Sequence, residues 1–159
     1  MKNNTFLSSG KVLFGRVLSR TVHFSRENID RVLLADDGKE FKIIRDLSVD
    51  PGRHQDISPA VFVVRFKFSG LPLAVNKHLS MIPVPFLVAM PEFRWKIWAV
   101  SDDRYFQGVY QWASKESAES YPQSFIFKMM TKRAKMETVS YEIIPDMYLK
   151  DYIDCLITM

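Results

Sequence analysis

The sequence predicts an α+β protein built on a βαββαβ, ferredoxin-like arrangement. Three observations carry that reading. Four segments between residues 61 and 144 have the period of a β-strand, and helical patterns sit between the first and second and between the third and fourth. All three tryptophans, and much of the phenylalanine, fall between residues 61 and 112, on or beside those strands.

In chain order, residues 5–23 place Phe6, Leu13, Phe14, Val17, Leu18 and Val22 mostly at three- and four-residue spacing, with Lys11, Arg16 and Arg20 elsewhere on the wheel. This is the period of an amphipathic helix. Two placements fit it, an anionic membrane surface or a dock on the domain or a partner. Four basic residues between Lys2 and Arg20 are few for the first, so docking is favoured. Arg31–Ala35 and Lys39–Arg45 flank Asp36-Asp37-Gly38 and read as a hairpin, although Arg31–Ala35 could instead finish a helix. Ser48–Ala60, with Asp50-Pro51-Gly52 and Ser58-Pro59, is turn chemistry and the expected linker. Residues 1–58 are thus read as an N-terminal extension and 59–159 as the ferredoxin-like domain.

Val61–Phe68 alternates Phe62, Val64, Phe66 and Phe68 against Arg65 and Lys67, a strand with one greasy face. Gly70 and Pro72 end it, and Leu73–Met90 reads as a helix interrupted by prolines. Phe93–Val100 is the second strand, with Phe93, Trp95 and Ile97 opposed by Arg94, Lys96 and Trp98. A turn at Ser101–Arg104 leads into the third, Tyr105–Trp112. Ser114 suits an N-cap, Glu116 suits a first helical turn, and Pro122 should bend or restart the helix that follows. Glu137–Ile144 is the fourth strand, and Asp146 can cap a last helix bearing Tyr148, Leu149, Tyr152, Ile153 and Leu156. Trp95 and Trp98 have opposite parity on one strand, so both sheet faces are aromatic. In this fold helices cover one face only; a second copy of the chain is the simplest cover for the other.

Composition bounds the function. The chain has 159 residues, 47% hydrophobic and 25% charged, which suits one domain with a real core. A net charge of +4 does not call for a nucleic-acid partner. The single cysteine, Cys155, excludes an internal disulfide framework and Cys-based zinc motifs. The charge-free run Leu79–Pro91 is too short and too rich in proline to span a membrane. Lys11 and Arg16 interrupt any signal-peptide core, so a cytoplasmic protein is expected. Gly10–Gly15 has the glycine spacing of a phosphate loop, but Arg16-Val17 stands where Lys-Ser/Thr is required. His23, His54 and His78 show no metal-ligand spacing.

Two stretches carry a family resemblance: Met90-Pro-Glu-Phe-Arg-Trp-Lys-Ile-Trp98, and Tyr105-Phe-Gln-Gly-Val-Tyr-Gln-Trp112 followed by Ser117-Ala-Glu-Ser-Tyr121. They resemble the PGF-x-W-K-x-W … GG-x-Y-x-F … A-x-x-Y pattern of the YdhR-type mono-oxygenase family, in the dimeric α/β-barrel superfamily. The resemblance spans residues 60–145. Glu92 replaces the family's glycine, Gln107 stands where the first of two glycines is found, and prolines interrupt the first helix. It implies a homodimer, and relatives that oxidise electron-rich aromatics such as phenols and quinols without metal or flavin.

Such chemistry needs a cavity that stacks a flat ring and a polar group that takes a proton or orients the resulting anion. Trp95, Trp98, Tyr110 and Trp112 are the candidate walls. Arg65 and Asn76 are candidate substrate contacts, with His78 and Arg94 as the catalytic candidates. His78 is of the residue type that suits a base. Each also has a structural reading: a strand tryptophan in the core, a satisfied histidine, a strand arginine facing solvent or a partner. Three functions stay open, namely a cofactor-free mono-oxygenase acting on a small aromatic molecule, a non-catalytic binder of a hydrophobic ligand or heme, and a protein that docks on a membrane or partner.

Overall fold

Burial on alternate sides of one sheet decides the architecture. The computed structural model describes residues 21–157; the helical pattern expected at 5–23 lies almost wholly outside them. Where that pattern ends, Val22–Phe24 is a strand, β1, rather than helix. It pairs antiparallel with the long strand β3, Glu40–Val49, which also pairs with the short strand β2, Val32–Leu34. The β2–β3 hairpin turns at Asp36-Asp37-Gly38, where the Ala35 amide donates to the Lys39 carbonyl at 2.9 Å. Gly38 supplies the positive φ, +78°, that closes the turn.

The βαββαβ unit follows in the order expected. Its strands are β4 (Ala60–Lys67), β5 (Phe93–Val100), β6 (Tyr105–Trp112) and β7 (Ser140–Pro145). Prolines split the first helical region into α1 (Leu73–Leu79) and α2 (Val84–Val88). In the second, α3 (Lys115–Ser120) gives way at Pro122 to a 3-10 turn, and α4 (Phe125–Thr131) restarts on the Ser124 cap. Ser114 caps α3 by accepting the Ser117 amide. The sheet runs β1-β3-β5-β6-β4-β7, with β2 beside β3. Residues 22–49 therefore extend the sheet past β5.

Two details differ from the sequence reading. The last strand begins at Ser140, because Met136–Thr138 form a 3-10 turn. Asp146 does not cap the last helix, α5 (Leu149–Leu156). It sits at a positive φ of 52° and accepts from the Ser58 hydroxyl, while Gln111 caps α5 from the sheet, its Oε1 accepting the Leu149 amide at 2.9 Å.

Both sheet faces are buried. On one, Phe62, Val64, Phe66, Phe93, Trp98, Phe106, Tyr110 and Trp112 pack beneath α1–α4. A bulge between Phe93 and Trp95 turns Phe93 onto this face, away from the Trp95–Ile97 face that simple alternation assigns it. On the other face, Val61, Val63, Ile97, Ala99 and Val109 meet Leu149, Tyr152 and Ile153 of α5, flanked by Leu33, Phe41 and Ile43. The chain's own last helix covers the face for which sequence alone suggested a second copy. Among the described residues no helix is long and apolar enough to cross a membrane.

Ile153 is 1% exposed at the centre of that cover. Ile153→Ala is expected to cost about 2–5 kcal/mol. Urea unfolding of wild type and variant should show this loss unchanged across a range of protein concentrations.

Candidate functional site

The site is best built from the helix-covered face of β3, β5 and β6. There the register sets Arg45 beside Trp98 and Trp98 beside Gly108, and in the next row Leu47 beside Lys96 and Lys96 beside Tyr110. Alternation along β5 sends Lys96 and Trp98 to the same side, under the helices. Lys96 is 3% exposed and Trp98 1%. A lysine there brings an amine into a region of apolar and aromatic groups.

Lys96 Nζ lies 4.2 Å from the centre of the Trp98 ring and 4.4 Å from that of Tyr110. Among the described residues it has no carboxylate partner. Burial holds its pKa well below the ordinary 10.5, and the neighbouring Arg45 guanidinium lowers it further. The two rings favour the charged form through their quadrupoles, but they replace a hydration shell poorly, and desolvation dominates. Lys96 is therefore a buried amine that gives up its proton more readily than a surface lysine.

Arg45 reaches from β3 to α1, donating to the Lys77 carbonyl at 2.5 Å and the Ser80 hydroxyl at 3.0 Å. It also borders an open groove of about 570 Å³ lined with Phe24, Arg26, Ile29, Ile44 and Asp46. The groove lies where β3, between its pairings with β2 and β1, is spanned by the 25–31 loop, whose Ser25 and Asp30 amides donate to the Asp46 and Ile43 carbonyls. Arg45 thus joins solvent to the surroundings of Lys96.

The tryptophan ring nitrogens add a second anomaly. Among the described residues, Nε1 of Trp98 and of Trp112 are buried donors without a hydrogen-bond partner, and such groups are rare in folded proteins. The indole over which Lys96 lies thus carries an unsatisfied N–H.

The sequence candidates fall into separate places. Trp98, Tyr110 and Trp112 share the helix-covered face, with Tyr121 5.0 Å from the latter two rings. The Tyr110 hydroxyl donates to Met130 Sδ at 3.1 Å, and burial holds its pKa well above the usual 10.0. Gly108 lets that ring lie flat on the strand, since a Cβ there would come within 2.9 Å of Tyr110 Cε2. Trp112 also borders a second groove, of about 690 Å³, with His54, Met90, Glu92 and Ser114.

Trp95 packs on the opposite face and donates to Asp46 Oδ1 at 2.6 Å. Arg65 shares that face with Gln107, to whose Oε1 it donates at 2.6 Å, and burial of α5 against the sheet pushes the hydroxyl of its residue Tyr152 up to about 12. Arg94 is clamped by Asp56 at 2.8 Å and by the carbonyls of His54, Pro91 and Phe93. Asn76 is buried on α1, donating to the Leu71 carbonyl and accepting from Arg133. His78, on the same helix, is exposed. Lys96 and Arg45 were absent from the sequence candidates. The one sequence signal for Lys96 was its parity with Trp98 in Trp95-Lys-Ile-Trp98.

No protein-family model matches the chain, and no curated protein sequence matches it. Solved structures do. LmHde, a heme-degrading enzyme from Listeria monocytogenes, superposes with a TM-score of 0.50 at 8% identity, over 78% of this chain and 96% of that one. An anthrone oxidase-like protein superposes with a TM-score of 0.45 at 17% identity, over 67% of this chain and 52% of that one. This chain thus matches about half of that second structure. At such identities the likeness is one of fold.

Lys96 binds its proton less readily in the folded protein than in the unfolded one. Between its depressed folded value and about 10.5 the unfolded chain carries the extra proton, so stability rises with pH across that window. Lys96→Met removes the amine and keeps the length of the side chain. Urea unfolding at a series of pH values should find the variant more stable at neutral pH and without the wild-type rise.

Proposed function

We propose that the chain binds a small electron-rich aromatic molecule, a phenol or quinol, between the sheet and α1–α2, and oxidises it with dioxygen in a mono-oxygenase-like reaction. The observation that carries the reading is Lys96, a buried amine without a carboxylate among the described residues, lying over an indole whose N–H has no acceptor among them. Together they match a hydroxyl that gives up its proton and then accepts a hydrogen bond. Lys96 takes the phenolic proton, turning neutral amine and neutral phenol into ammonium and phenolate. The aromatic faces of Trp98 and Tyr110 and the nearby Arg45 then stabilise the ion pair away from water.

A phenolate is far more readily oxidised than a phenol. With dioxygen as oxidant, a phenol becomes a quinone and a molecule of water, one oxygen atom entering the ring and the other leaving as water. No further reductant enters that balance. Arg45 gates the approach: releasing the Lys77 carbonyl and the Ser80 hydroxyl opens the way from the groove it borders. Trp112 and Tyr121 form the far wall of the aromatic layer. The fold shared with a heme-degrading enzyme also raises a heme reading. His23, His54 and His78 are all exposed, so none of them offers an iron ligand in this layer.

The test uses 4-nitrophenol, whose phenol and phenolate forms absorb in separate bands. At a pH below the probe's own pKa, wild-type protein should hold it as the yellow phenolate, and Lys96→Met should bind it colourless or not at all. With a hydroquinone as substrate, oxygen uptake should fall on the order of a hundredfold or more in Lys96→Met. A wild type that neither shifts the spectrum nor consumes oxygen faster than the variant contradicts the reading.

A further inference from the structure

The outer surface of the helix layer has a charge pattern that the proposed reaction does not use. From Ile57 to Pro91, and again from Ser120 to Met136, the chain contains no aspartate or glutamate. These two stretches supply α1, α2, α4 and the turn after α4. Lys128, Lys132 and Lys135 are exposed there, with Lys77 and Arg133 half-buried beside them. Of the acids, Asp36, Asp37, Asp102 and Asp103 lie at the hairpin tips, Glu142 on β7, and Asp151 and Asp154 on α5, while Glu116 and Glu119 on α3 and Glu137 after Met136 border the basic surface.

The same surface exposes large apolar side chains. Phe125 is 65% exposed, Met136 69% and Ile82 56%, and Leu71 and Val75 are also exposed. Contacts tie the parts into one layer. Phe86 of α2 meets Phe125 of α4 with ring centres 6.5 Å apart, and Arg133, after α4, donates to Asn76 of α1 at 3.2 Å. Single exposed apolar residues are ordinary; several on one predominantly basic face are not.

We propose that this face binds the surface of a lipid bilayer containing anionic headgroups. Phe125, Ile82 and Met136 would enter the interfacial zone, while the lysines extend their stems and meet headgroup phosphates and carboxylates. A bilayer fits better than a protein partner. A fluid interface accepts separate protruding side chains, whereas a protein partner would need shape complementarity around a packed centre. The proposal does not depend on the oxidation reading, although a membrane-bound protein would meet lipophilic phenols and quinols at high local concentration.

Co-sedimentation of the full chain with vesicles tests it. The protein should pellet with an equal mixture of phosphatidylcholine and phosphatidylserine, remain in solution with phosphatidylcholine alone, and be released by salt. Phe125→Ser with Ile82→Ser, and separately Lys128→Glu with Lys132→Glu, should each weaken binding about tenfold or more. Lys150→Glu, on the α5 side, should leave it unchanged, and circular dichroism should show every variant folded. Wild-type protein that does not pellet overturns the proposal, as does binding that survives both double substitutions. A face that forms an interface between copies, with the double variants turning a dimer into a monomer and no vesicle bound, overturns it too.

Discussion

The structure depends on three central strands with no free face. Helices α1–α4 close one side of β4, β5 and β6, and α5 with the β2–β3 hairpin closes the other. Every residue on these strands must therefore be apolar or find its partner inside. Most polar residues do. Asp46 takes the N–H of Trp95 and the amide of Asn28, Gln107 takes Arg65, Gln111 caps α5, and Arg94 holds Asp56. Each pairing also fixes an element in place: the 25–31 loop, the second face, the last helix and the 50–59 loop respectively.

Lys96 and Trp98 break this pattern. Evolution of a core that needed only stability would place a methionine or leucine at Lys96, since an unpartnered buried amine costs free energy. In the proposed reading, the amine and the idle N–H of the indole serve a bound molecule. A binding partner that restores the charge and the hydrogen bond would recover that cost, so the groups that weaken the free protein are those best suited to hold an acidic hydroxyl. The same reasoning separates Lys96 from Arg94, whose charge is already matched by Asp56.

Much of the fold is legible from the chain alone. Phe93–Val100 and Tyr105–Trp112 appear with the bounds the sequence predicts, because Trp95–Val100 and Tyr105–Trp112 alternate between two real interiors. Prolines 83 and 122 interrupt the helices where they stand, for want of an amide donor. What could not be read depends on distant contacts. The Phe93 bulge is set by pairing with Trp112, and the end of the 5–23 helical pattern becomes strand because β3 offers it an edge. Tyr110 and Trp98 were readable as aromatic residues of the sheet. Lys96 was not, because a lysine on a strand reads as a solvent-facing residue until the covering helices are known. Arg45 was hidden for a different reason: its hairpin joins the central sheet only through β5, far along the chain.

The direct measurement is the titration of Lys96 itself, followed by NMR of the side-chain Cε and Nζ in protein with labelled lysine. The amine should lose its proton well below the ordinary 10.5 in the free protein, and regain it at higher pH when 4-nitrophenol is bound. A Lys96 that titrates with the surface lysines, unmoved by the phenol, would contradict the buried-base site on which the proposed chemistry rests.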